Sequence, residues 1–187
     1  MAITKLLCFI FIYLTSWIDA IDHSWYYSGY GNSYKAIPRR LANVNLILAS
    51  PHAGSLMPDD IPDRTIGGCR KENSSVCIFD YTELCANGSR CSVTTVQDFA
   101  DYDPFIEWIA DELYRVYNLV PFVIFANWNR KKIDFNRNIA EATFNHPKSM
   151  KAYRAYHRYL DKAIERIRRR YNGTGLLLDL HQHAQGK

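Results

Sequence analysis

"VNLILAS", Val44 to Ser50, is a short apolar run that stops at a turn-forming residue. That pattern is the one expected of a strand covered on both faces. It recurs in "VPFVIFAN" (Val120 to Asn127) and in "GLLLDLHQH" (Gly175 to His183). Helical patterns separate the runs. In "DPFIEWIADELYRVYN", Asp103 stands at the N-cap, Pro104 suits the first helical position, and Ile106, Ile109, Leu113 and Val116 recur at helical spacing. From Ser149 to Tyr171 a longer stripe runs through Ala152, Ala155, Tyr156, Tyr159, Leu160, Ala163, Ile164 and Ile167. Buried strands alternating with helices predict an α/β fold with a mostly parallel or mixed central sheet and helices on both faces.

Outward from these elements the pattern weakens. Residues 21–40 are rich in Tyr, Ser and Gly and read as an irregular segment. Arg130 to Pro147 has no strong period. No internal repeat or low-complexity stretch occurs. The 187 residues are 48% hydrophobic and 14% aromatic. That is enough apolar mass for one domain with a real core, and it excludes a disordered chain.

The first 20 residues have Lys5, an apolar stretch from Leu6 to Leu14, and Ala20. They read as a secretory signal peptide, with a signal anchor as the alternative. The stretch is short for a membrane span, and no other segment comes near the ~20 apolar residues one needs. The expected mature domain is residues 21–187, secreted and without a membrane span. Cysteine usage agrees. Cys69, Cys77, Cys85 and Cys91 fall in one short window, which in an oxidising compartment predicts two disulfides with three possible pairings. No C-x-x-C pair points to structural zinc. Sequons at Asn73, Asn87 and Asn172 add glycosylation, and two of them lie among the cysteines. Residues 67–97 therefore read as a glycosylated, disulfide-stapled insertion.

The formal charge is +4, concentrated in Arg130-Lys131-Lys132 and Arg166 to Arg170. Such stripes can attract polyanions. The arginines near 170 alternate with a regular apolar stripe, which favours a solvated helix face. No nucleic-acid motif is present, and secretion argues against DNA as a partner.

Ligands in open α/β sheets bind beyond the carboxyl ends of the strands. Three such ends carry polar residues. The first is Ser50-Pro51-His52-Ala53-Gly54, the second leads to Asn127, Asn129 and Arg130, and the third is Asp179, His181 and His183. Neutral imidazole is the commonest zinc donor, and two histidines from separate strands suit a catalytic zinc. Alternation places Asp179 on the face of His181, where it can orient an imidazole. In "RKKIDFNRN", Asn136 and Arg137 can hold a carboxylate, with Asp134 as a buttress for the arginine. The plain alternatives are a polar edge strand and a basic surface loop. His157, beside Tyr156, reads as an ordinary helix residue.

"SPHAG", "KKIDFNR" and "LLLDLHQH", in that order, resemble the N-formylglutamate amidohydrolase family, whose members carry S-P-H-[SG]-G, D-x-N-R and a D-x-H strand end. "DPFIEWIA" resembles that family's D-x-x-h-x-x-L segment. The similarity runs from Val44 to the C-terminus. It implies a three-layer αβα fold similar to zinc carboxypeptidases, with one catalytic Zn2+ held by His52 and His181. Carboxypeptidases carry a carboxylate ligand three residues after the first histidine. Ser55 stands there, so Asp103 is the expected replacement. The likeness assigns Asn136 and Arg137 to the substrate's free carboxylate and Arg130 to polarising the scissile carbonyl. The implied substrate is a small N-acyl amino acid or a peptide carboxylate. The implied reaction is zinc-assisted amide hydrolysis, with a glutamate base on an element past the D-x-H strand. That element would lie beyond Lys187. The chain is therefore expected to be the N-terminal part of a larger hydrolase, with its third strand at an uncovered sheet edge. The signal peptide and the cysteine-rich insertion depart from the bacterial metabolic enzyme. The competing expectations are a secreted binding protein that keeps the fold without catalysis, and a basic protein for polyanions.

Overall fold

The computed structural model describes residues 23–64 and 103–181, with side chains from 105 onward in the second stretch, and the backbone of 82–84 and 90–92. The strands are β1 (Tyr27–Ser28), β2 (Tyr34–Ala36), β3 (Leu46–Ser50), β4 (Thr82–Leu84), β5 (Arg90–Ser92), β6 (Phe122–Ala126) and β7 (Leu176–Asp179). The α-helices are α1 (Asp103–Tyr117), α2 (Ile139–Thr143) and α3 (Pro147–Arg170). All three apolar runs are strands, and both long helices lie where their spacing puts them.

Five strands form one sheet in the order β1-β2-β6-β3-β7, and β4 and β5 make a separate antiparallel pair. β3 is parallel to β6 and to β7, while β2 runs antiparallel to β6 and β1 antiparallel to β2. The sheet is therefore mixed. Its parallel half consists of the three apolar runs, as expected of strands whose connections carry helices.

Alternation along the central strands feeds two cores. Ile47, Ala49, Phe122 and Ile124 pack with Ala152, Tyr156, Tyr159, Ala163 and Ile167 of α3. Leu48, Val123 and Phe125 pack with Ile106 and Ala110 of α1. Side chains two apart share a face, so a strand with no polar position needs apolar cover on each side. The α3 stripe is the predicted one, with Ala155, Leu160 and Ile164 at its partly buried border. The α1 stripe is narrower than its spacing suggests. Ile106 is buried and Ile109 and Leu113 are partly buried, but Val116, in the last turn, is exposed.

Residues 21–40 are not irregular throughout, as β1 and β2 fall within them. Tyr34 and Ala36 are buried and pair with Ala126 and Ile124. Three residues are too few to display a period, so the local pattern could not reveal this strand. The cysteine insertion shows only its β4–β5 backbone, with Glu83 opposite Cys91. Cys69, Cys77 and Cys85, the Cys91 side chain, Asn73 and Asn87 lie outside the described residues, as do 1–22. Asn172 is exposed on the turn that follows α3.

Candidate functional site

The chain leaves β3, crosses to β6 on one side, and returns to β7 on the other side of β3. A crevice opens at such a reversal of strand order, at the carboxyl ends of the strands. His52 lies just past β3 and His181 just past β7, and both reach this crevice. Their ring centroids are 4.9 Å apart, edge to face. The two histidines are remote in sequence and meet because β3 and β7 are paired in register, Ala49 beside Asp179.

His52 is buried, 2% exposed. Its Nε2 is 2.8 Å from Asp134 Oδ1. An ionised carboxylate only accepts, so Nε2 carries the proton and donates it. Metal coordination by this ring would fall to Nδ1. Asp134 is fully buried and serves several partners. Arg130 Nε donates to its Oδ2 at 2.7 Å, Arg64 Nη2 lies 3.6 Å from Oδ2, and the Asn136 amide donates to Oδ1 at 2.9 Å. Burial alone would raise this carboxyl's pKa. The His52 hydrogen bond and charge, with Arg130 and Arg64, outweigh it and hold the pKa well below the usual carboxylate range. Asp134 thus buttresses His52 and Arg130. It does not buttress Arg137, whose Nη1 donates to the Asn136 carbonyl.

Arg64 had no place in the sequence expectation. It is 3% exposed, and it donates through Nε to the Arg130 carbonyl and through Nη1 to the Glu141 carbonyl. Burial pushes its pKa down to about 10, with Asp134 opposing that shift. A buried arginine in a proline-punctuated loop gives no local signal, because its satisfaction comes from distant backbone carbonyls.

The basic loop also differs from expectation. Arg130 and Lys132 are both buried. Lys132 Nζ donates to the Ile61 carbonyl at 2.6 Å and pairs with Asp63 at 2.7 Å. Of the three, Lys131 alone is exposed, so this cluster ties the loop after β3 to the loop after β6 and is not a polyanion surface. The second basic cluster sits at the C-terminal end of α3, where cations complement the helix dipole, and Arg169 pairs with Glu165.

His181 is exposed at the mouth. Its Nε2 is 3.0 Å from Asp179 Oδ2 and 3.3 Å from Asn136 Nδ2. The carboxylate, a pure acceptor, takes the Nε2 proton, as alternation along β7 implied. Each histidine therefore has its own orienting carboxylate, Asp134 for His52 and Asp179 for His181. Gly54 is needed for close approach. A Cβ there would lie 2.3 Å from the Asn127 carbonyl carbon and 2.6 Å from the Trp128 oxygen. Just beyond this contact the Leu56 N–H donates to the Asn127 carbonyl, and the Leu56 carbonyl accepts from the Asn129 N–H.

Ser55 is exposed. The Asp103 side chain lies outside the described residues, and so does His183. Among the described residues no group of three or more His, Cys, Asp or Glu side chains is arranged to hold a metal. Two imidazoles gather, each with an oriented ring, and that is the donor set a zinc ion would meet. Also among the described residues, no helix is long and apolar enough to cross a membrane. No protein-family model, curated protein or solved structure matches the chain.

Proposed function

We propose that this chain is a secreted, zinc-dependent amidohydrolase of the N-formylglutamate amidohydrolase type, with the three-layer αβα arrangement that the resemblance implies. One observation carries the reading. His52 and His181 converge at the strand-order reversal, each held by a carboxylate on the ring nitrogen it would turn away from a metal. His52 and His181 would be the protein ligands, with Asp103 as the candidate third. Zinc bound there would polarise an amide carbonyl and bring the pKa of a bound water to about 7.

The chain's own residues do the rest. Asp134 fixes the tautomer and direction of His52 from a dry interior. Asp179 does the same for His181 at the mouth. Asn136, against His181, and Arg137 beside it would grip the free carboxylate of an N-acyl amino acid. Arg130 was expected to polarise the scissile carbonyl. With 8% exposure and its Nε on Asp134, it is better suited to positioning that carboxylate.

A second reading is a binding protein that keeps the fold without turnover. Ser55 and the gathering of only two imidazoles among the described residues favour it. The test is zinc content by mass spectrometry of the purified chain beside His52→Ala and His181→Ala. Near-stoichiometric zinc that both variants lose supports the amidohydrolase site. Zinc retained in either variant, or absent from the folded natural chain, overturns it. Binding of N-formyl amino acids without hydrolysis selects the second reading.

A further inference from the structure

Beside the candidate site, on the α3 side of the sheet, lies a cleft of about 100 Å3. That is well below the volume of a pocket for a whole ligand and is on the scale of one side chain. Phe135, Tyr156, Leu160 and Leu177 make it apolar, and Asn136 and Asp179 also line it. These last two are the residues in contact with His181, so the cleft is continuous with the site. Among the described residues no lysine or arginine lines it. His157, which lines it too, donates through Nε2 to the Phe135 carbonyl. Burial lowers its pKa, so at neutral pH it adds no positive charge.

We propose that this cleft receives the side chain of the N-acyl amino acid, and that the site selects large aliphatic or aromatic side chains over carboxylate ones. The proposal rests on the amidohydrolase reading. An α-carboxylate held by Asn136 and Arg137 leaves the side chain one carbon away, at the rim that Asn136 forms. The apolar walls reward a leucyl or phenylalanyl group. A glutamyl side chain would place a second carboxylate beside Asp179, with no lysine or arginine among the described residues lining the cleft to receive it.

Isothermal titration calorimetry on the zinc-loaded full chain tests this with N-formylglycine, N-formylleucine, N-formylphenylalanine and N-formylglutamate. Leucine and phenylalanine derivatives should bind roughly ten-fold or more tighter than the other two. Leu177→Trp and Leu160→Trp, which fill the cleft, should erase that preference and leave N-formylglycine unchanged. Equal affinities, a preference for N-formylglutamate, or indifference to both tryptophans would overturn the proposal. If zinc is bound in those cases, the amidohydrolase reading survives without it. A folded chain that holds neither zinc nor any of the four ligands overturns both. Should either variant unfold by circular dichroism, the ligand series on the natural chain still decides.

Discussion

At the scale of the residue, Asp134 carries the most weight. It joins a histidine past β3 to two arginines from different loops, and it is fully buried. Removing its charge takes a buried counter-ion away from both Arg130 and Arg64. Asp134→Asn should therefore cost about 3–5 kcal/mol, read by urea unfolding. The pH dependence has a definite sign. Folding depresses this carboxyl's pKa, so its contribution is complete above the unfolded value, roughly pH 4. It should drain away as pH falls from there through the folded value. Thermal unfolding between pH 7 and pH 3 should show a steep acid limb that Asp134→Asn flattens. The sequence exposed Asp134 as one of a dense polar cluster but tied it to Arg137, its near neighbour. Its true partner, His52, is 82 positions away. Local spacing carries no information about such a pair. The same reason hid His157, whose place on a helix looked ordinary until α3 packed it beside the cleft.

At the scale of the element, the two loops that frame the site depend on close backbone approach. The loop after β3 can lie on the loop after β6 because Gly54 has no side chain there. Gly54→Ala forces a carbon against peptide atoms, which have no rotamer with which to retreat. The expected cost is roughly 1–3 kcal/mol, with a shift of His52 that, on the proposed amidohydrolase reading, lowers zinc retention. Chemical denaturation and metal content on one sample would check both. Conservation of stability with full zinc would sink the idea. α2 has a simpler dependence. Asn138 caps it by accepting from the Ala140 and Glu141 amides, so Asn138→Ala should cost about 1 kcal/mol in a urea titration. Elements with long apolar runs or long stripes were legible in the sequence because burial on two faces leaves a continuous signature. β2 was not, since three residues cannot establish a period. α2 was not, since its five residues lie in a segment dominated by site residues.

At the scale of the whole molecule, the sheet has one well-covered half and one exposed border. β6 is buried throughout, between β2 and β3. β7 pairs only with β3 among the described strands, and all four of its residues are exposed. Leu176, Leu177 and Leu178 keep 56%, 43% and 39% of their surface, so an apolar run meets solvent along a strand edge. Backbone groups on such an edge can template another strand, and the leucines add an apolar reward. The natural chain should therefore associate as its concentration rises, read as an increasing sedimentation coefficient. Leu176 and Leu178 share one face of β7, opposite to Leu177 and Asp179. Replacing both by lysine puts charge on the edge without touching the face that holds the cleft. Leu176→Lys with Leu178→Lys should abolish the association while zinc content and N-formylglycine affinity stay unchanged. A natural chain that sediments as a monomer at every concentration would mean that β7 is covered in solution. Association that survives both lysines would place the contact elsewhere on the molecule.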